Sequence, residues 1–164
     1  MKKNFIAVGY KYNKNLCLED VHVIAPTLER EVQYLGASRK GSDKLPVPQA
    51  FSNFVLKNRS ELGDFAFLGF GVRDFLKAVS FSCASLDSQV VFPWEYVAGD
   101  SAKNHYLDLE EEINNFTVER FKLCVGKETV ERINFDKQWA SLGKNAENDA
   151  RLAFTLGKLL DLWS

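Results

Sequence analysis

The chain has 164 residues, of which 46% are hydrophobic and 26% are charged. These proportions match ordinary globular domains and argue against a disordered, collagen-like or disulfide-rich chain. With 21 basic and 22 acidic residues the net charge is −1, so the chain lacks the overall positive field that drives strong non-specific binding to nucleic acid. A local basic groove remains compatible with this balance. The length fits one domain, which we take to span residues 1–164.

Cysteine usage and hydropathy point to a compartment. Cys17, Cys83 and Cys124 are far apart and form no C-x-x-C pair, which argues against a zinc site or a redox motif. The apolar run Phe5–Val8 is too short for a secretory signal. No stretch approaches the roughly 18 apolar residues of a membrane span. We therefore expect a cytoplasmic protein of a bacterium, a phage or a host cell, with reduced cysteines and no membrane contact.

The first part of the chain predicts a β-hairpin. β-forming residues over Asn4–Tyr12 and Leu16–Ala25 predict two strands, and the turn signal Asn13-Lys14-Asn15 separates them. The apolar spacing of Thr27–Leu35 is compatible with either a helix or a third strand. The patterns that follow predict a helix over Val47–Val55, a strand buried on both faces over Asp64–Gly69, and a helix that starts at Val72.

The second part ends in the clearest helix. Val90–Trp94 and Tyr106–Leu109 are predicted as short extended or irregular pieces, and Asn115–Leu142 as two short helices. Asn145 is a good N-cap for a final helix whose apolar residues follow helical spacing to Trp163. The order of elements predicts one α/β domain built around a mixed sheet.

The start of the last helix carries a functional motif. The stretch from Lys144 to Arg151 resembles the last motif of DEDDh-type 3′–5′ exonucleases, H-x-A-x-x-D-A, which opens the C-terminal helix of that family. Ala146, Asp149 and Ala150 match the motif, and Lys144 stands where the family has its histidine. An acid in a first turn is stabilised by the helix dipole, so a plain capped helix start is the alternative interpretation.

Three upstream segments resemble the same family in the same order. Leu68–Phe75 is similar to the middle motif, in which a strand ends in a glycine-containing turn and the next helix presents an aspartate, here Asp74. Phe92–Tyr96 and Tyr106–Leu109 resemble the P-W segment and the following short strand of small stand-alone exonucleases of phage and bacteria. The resemblance covers residues 60–163 and implies an RNase H-like fold, with a mixed sheet that opens with a hairpin and is flanked by helices.

The first motif of the family, D-x-E, is absent. The best alignment puts Gly9 and Lys11 where the two acids belong. Hydrolysis with two metal ions needs about four carboxylates and a general base. Only Asp74 and Asp149 remain as metal ligands, and a lysine at the base position, Lys144, holds a proton at neutral pH. The resemblance therefore implies a degenerate exonuclease without a cofactor, in which Asp74, Asp149 and Lys144 are vestigial catalytic residues; Mg²⁺ or Mn²⁺ would be needed only if activity remained.

Four residues are candidate nucleic-acid contacts. The cations of Lys11 and Arg73 suit phosphates, and the rings of Trp94 and Tyr96 suit stacking on a base. Burial of the two aromatic residues as structural anchors is the alternative. His22 lies among apolar β-formers and is interpreted as a strand residue without a ligand role.

Three classes of function stay open. The first is a degenerate exonuclease-like protein that binds nucleic acid, or a protein of a nucleic-acid-processing or defence complex, without cutting. The second is an active Mg²⁺-dependent 3′–5′ exonuclease that draws its missing ligands from positions such as Glu19 or Asp20. The third is an interaction protein, such as a phage-encoded inhibitor or immunity protein, that uses the fold as a scaffold. A homodimer is left open in each case.

Overall fold

The structure, a computed structural model, describes residues 4–36, 46–85, 96–97, 104–109 and 146–159. The elements predicted over Val90–Trp94 and Asn115–Leu142 lie outside these residues, as does the expected N-cap Asn145.

Three antiparallel strands open the chain. The strand β1 spans Asn4–Tyr12, β2 spans Leu18–Ala25 and β3 spans Arg30–Leu35. The predicted hairpin is thus confirmed, and β1 has the predicted bounds. The ambiguous segment divides in two: a short 3-10 turn at Pro26–Leu28 comes first, and a strand follows it. Proline suits the start of a helical turn, and Glu29 ends the turn in the left-handed region at a φ of 53°.

Helices and parallel strands alternate after this meander. The predicted helices near Val47 and Val72 and the predicted strand before Gly69 are confirmed, with ends that differ by a few residues. The bounds are α1 Val47–Lys57, α2 Arg59–Leu62, β4 Phe65–Gly69, α3 Val72–Ser85, β5 Tyr106–Asp108 and α4 Ala146–Leu159.

The strands form one five-stranded mixed sheet in the order β3-β2-β1-β4-β5. β2 runs antiparallel to β1 and β3, whereas β1, β4 and β5 run parallel to each other. Every residue of β4 is buried, as its continuous apolar run predicts. The predicted α/β class, a mixed sheet flanked by helices, is therefore confirmed.

Side chains along β1 point alternately to the two faces of the sheet, and helices cover each face. Ile6 and Val8 point toward α1 and α3, and we call this side the α1–α3 face. Phe5 and Ala7 point toward α4, and we call that side the α4 face. Large aromatic rings fill the α1–α3 face, where Phe51 packs edge-on against Phe75 at a centroid distance of 4.9 Å. The alternation therefore sets two helix layers against a single sheet.

Candidate functional site

Gly9, the position aligned with the first metal-binding acid, lies directly beneath the first turn of α4. A Cβ atom at Gly9 would come within 2.6 Å of the backbone nitrogen of Ala150 and closer still to the carbonyl oxygen of Ala146. Both distances fall below the 3.0 Å that real Cβ atoms respect. No side chain fits at this position, a carboxylate included, unless α4 moves away from the sheet.

Small residues along α4 allow this close approach. Ala146, Ala150 and Ala153 are fully buried and lie on the helix side that faces β1. One turn further along, a Cβ at Gly157 would meet the side chain of Leu68 at 2.5 Å. Because these side chains are so short, the backbone of α4 packs directly against the sheet.

Lys11, aligned with the second acid, is exposed near the end of β1. It lies opposite Asp20 on β2, whose Oδ1 accepts a hydrogen bond from Nε2 of Gln33 at 3.1 Å. Glu19, the other acid suggested as a replacement ligand, is exposed. The end of this strand thus carries an exposed cation at the position that the resemblance aligns with a metal ligand.

Asp74 lies in the first turn of α3, after the glycine turn that the middle motif predicts. Gly71 adopts the left-handed region at a φ of 66°, which suits glycine at this turn. The hydroxyl of Tyr10 donates a hydrogen bond to the carbonyl of Gly71 at 2.9 Å, so this turn is fixed to the end of β1. Burial raises the pKa of Tyr12, and the negative charge of exposed Asp74 adds to this rise.

Asp108 is a buried acid of this region that the sequence analysis did not single out. Its side chain is buried at the end of β5, where Oδ1 accepts the backbone N–H of Gly71 at 2.9 Å and Oδ2 accepts that of Arg73 at 3.1 Å. These N–H groups at the start of α3 have no partner within the helix, so a carboxylate satisfies them well. The available signal was an acid at the end of the short segment predicted over Tyr106–Leu109.

Asp74 and Asp149 are carried by helices on opposite faces of the sheet. Both helices begin alongside the C-terminal half of β1, α3 through Tyr10 and α4 through Gly9. Asp149 is half-buried in the first turn of α4, as predicted. Lys144, the third vestigial catalytic residue, lies outside the described residues.

The candidate nucleic-acid contacts divide into exposed and buried residues. Arg73 is exposed in the first turn of α3, whereas Tyr96 is only 2% exposed. The Tyr96 ring packs among Phe65, Phe67 and His105. Tyr96 is therefore a buried structural anchor and not a surface on which a base could stack. Trp94 lies outside the described residues.

A polar network joins β2, β3 and α4 on the α4 face. His22 is buried within β2, in agreement with its interpretation as a strand residue, and its Nε2 lies 2.6 Å from Oε1 of Glu31. The Nη2 atom of Arg151 lies 3.3 Å from the same Glu31 oxygen and 2.8 Å from Oε1 of Glu147. The hydrogen bond from His22 is the main reason that the pKa of Glu31 lies below its ordinary value, and the positive charge of Arg151 lowers it further.

An open groove of about 500 Å³ lies beside this network. Its lining includes apolar Ile24 and Phe154, together with Glu31 and Arg151. The Nζ atom of Lys158 lies 4.4 Å from the centroid of the Phe154 ring. Glu31 and Arg151 in this lining are therefore already paired with each other.

The residues at the aligned site do not fit a two-metal centre. Gly9 leaves no room for a ligand, and Lys11 adds a positive charge beside it. Across the part of the chain that the structure describes, no three histidine, cysteine, aspartate or glutamate side chains group as a metal site would require.

None of the described helices is long and apolar enough to cross a membrane. Comparison with protein-family models, curated proteins and solved structures finds no match for this chain.

Proposed function

We propose that this protein is a degenerate 3′–5′ exonuclease-like protein of RNase H-like fold, which binds nucleic acid without cutting it. The observation that carries the proposal is the backbone contact between Gly9 and the first turn of α4. It lies at the position aligned with the first acid of the D-x-E motif, where the family needs a carboxylate that points away from the strand.

The topology of the sheet supports the fold part of the proposal. The order β3-β2-β1-β4-β5, with only β2 reversed, is the order expected of an RNase H-like sheet. The two helices that carry the remaining acids, α3 and α4, also begin where the resemblance requires them, beside the C-terminal half of the first strand.

The chemistry of the aligned site supports the loss of cutting. Two cations held close together need several carboxylates to offset their charge. This site instead combines a glycine without a side chain and the ammonium group of Lys11. A lysine at a ligand position carries a positive charge, which repels a metal ion, and its protonated ammonium group does not activate water, so hydrolysis is lost.

The distribution of cations supports the binding part of the proposal. Lys11 at the end of β1 and Arg73 at the start of α3 are both exposed at the edge formed by the C-terminal ends of the parallel strands. Phosphate contacts need only exposed cations, whereas cleavage needs the complete ligand set.

A combined binding and cleavage experiment tests this proposal. The full chain is titrated against 5′-fluorescein-labelled single-stranded DNA and RNA of 20 nucleotides, and fluorescence anisotropy is recorded from 20 to 200 mM KCl. The same mixtures are incubated with Mg²⁺, Mn²⁺ or EDTA and resolved on a denaturing gel. We expect binding that weakens with salt and oligonucleotides that keep their full length in every mixture.

Two results would overturn the proposal. Absence of binding at 20 mM KCl would remove the nucleic-acid role. Metal-dependent trimming from the 3′ end that Asp149→Ala abolishes would show an active exonuclease instead. Trimming that persists in Asp149→Ala would mark a contaminating nuclease, and the binding data alone would then decide.

A further inference from the structure

An aromatic side chain points away from the protein on α3. Phe81 is 79% exposed. Among the described residues, the other exposed large hydrophobic side chains are Leu16 and Leu35. The residues that α3 buries are Val72, Phe75, Leu76, Val79, Ser80 and Cys83. At about 100° per residue, Phe81 falls opposite the centre of this buried set, so the helix presents its ring directly to solvent.

Two cations continue the same line toward the start of α3. Arg73, Lys77 and Phe81 follow each other at intervals of four residues, and all three are exposed. Each interval advances about 6 Å along the helix, so the three side chains form one stripe on its outer side. We call these three residues the α3 stripe. Asp74 is the exposed acid beside it, at the end of the helix nearest the sheet edge.

Lys77 and the cations of α4 differ in the contacts that their charged groups make. Among the described residues no salt bridge includes Lys77. On α4, by contrast, Arg151 pairs with two glutamates and the ammonium group of Lys158 lies over the ring of Phe154. Arg151 and Lys158 on α4 are thus engaged in contacts within the protein, whereas on α3 the ammonium group of Lys77 and the ring of Phe81 face solvent.

We propose that the α3 stripe is the surface on which single-stranded nucleic acid lies, with phosphates at Lys77 and Arg73 and an unpaired base stacked on Phe81. The proposal rests on the proposed function and assigns its binding surface. An exposed ring at the end of a line of cations suits a single strand, because an unpaired base offers its face and the backbone follows the charges. A protein partner is less well matched, because the neighbours of Phe81 on the outer side of the helix are charged or small.

Variants of the two contact types have different signatures. Phe81→Ala removes the stacking surface, so we expect a loss of affinity of about five-fold or more, with an unchanged slope of log affinity against log salt. Phe81→Leu keeps an apolar side chain but loses the ring, so it should weaken binding to a similar extent. Lys77→Gln removes one phosphate contact, so the magnitude of the salt slope should fall by about 0.7.

Two matched controls accompany these variants. Leu16→Ala removes an exposed apolar side chain from the hairpin turn, and Lys57→Gln removes an exposed cation from the end of α1. Neither should change affinity by more than about two-fold. Since all four positions are exposed, each variant should keep the thermal unfolding curve of the parent.

The outcomes separate this inference from the proposed function. If the parent binds single strands and Phe81→Ala and Lys77→Gln bind equally well, the α3 stripe is overturned while the binding role stands. If the parent binds none, the proposed function fails before the variants are made. If Phe81→Ala instead abolishes self-association in sedimentation velocity and leaves oligonucleotide binding intact, the stripe is an interface between two copies, and the inference is wrong.

Discussion

The two faces of the sheet are packed by opposite means. On the α1–α3 face, large rings such as Phe51, Phe67 and Phe75 separate the helices from the strands and fill the core. On the α4 face, alanines and glycines let the helix backbone touch β1 at Gly9. The first arrangement supplies stability through buried apolar area. The second leaves no space between the helix and the strand for any side chain at Gly9.

The largest effect is expected from a side chain at Gly9. Gly9→Asp places an acid at the position that the resemblance aligns with the first acid of the D-x-E motif, but its Cβ overlaps the backbone of α4. We expect a chain that does not fold, or one destabilised by at least about 3 kcal/mol, measured by urea unfolding with circular dichroism. Lys11→Glu, two residues on and exposed, is the control and should fold normally. A stable Gly9→Asp protein would mean that α4 does not lie on the strand.

The aromatic face should respond to the opposite change. Phe51→Ala removes a fully buried ring that contacts Phe67 and Phe75, so a loss of about 3–5 kcal/mol in the free energy of unfolding is expected. Tyr34→Ala, at a half-buried ring on β3, provides the comparison and should cost less. Equal losses at the two positions would contradict the idea that the central aromatic cluster dominates stability.

Asp108 ties β5 to α3, and its loss should have an intermediate effect. Asp108→Ala leaves the N–H groups of Gly71 and Arg73 without their acceptor, which should cost about 2–3 kcal/mol in unfolding free energy. Asp108→Asn keeps one acceptor oxygen and should recover part of that loss. If the asparagine variant is no more stable than the alanine variant, the carboxylate does not act as the cap.

The smallest effect is expected from the polar network on the α4 face, and it depends on pH. The pKa of Glu31 is lowered in the folded protein, so its contribution to stability is present above its ordinary pKa, 4.5, and is lost as pH falls through the folded value. The difference in Tm between the parent and Glu31→Gln should therefore be greatest near neutral pH and shrink in acid. Glu29→Gln, an exposed neighbour, is the control. A difference that does not change with pH would exclude Glu31 as the titrating group.

Local patterns predicted most of the sheet, and contacts between distant residues account for the rest. β1 and β4 were clear because their apolar runs are short and bounded by turn signals. The prediction for the segment that contains β3 was ambiguous because Leu28, Val32 and Leu35 fit helical spacing. Hydrogen bonding to β2 makes this segment a strand. Pairing of this kind has no local signature.

The sequence predicted which elements carry Gly9 and Asp74, but not the geometry around them. Gly9 lies in a strand and Asp74 in the first turn of a helix, as expected, yet only the docking of α4 shows that nothing larger than glycine fits at Gly9. Asp108 was missed because the N–H groups that it caps, those of Arg73 and Gly71, lie 35 and 37 residues away in sequence. Tyr96 looked like a stacking residue because composition does not tell a buried ring from an exposed one.

The glycine beneath α4 also limits how this chain can change. Any side chain at Gly9, even the methyl group of an alanine, overlaps the helix backbone. The helix would have to be raised first, by larger residues in place of its alanines, before a side chain at this position of the strand became tolerable. The order of substitutions is thus dictated by packing, and a designer who places an acid at Gly9 before making the space for it should recover unfolded protein.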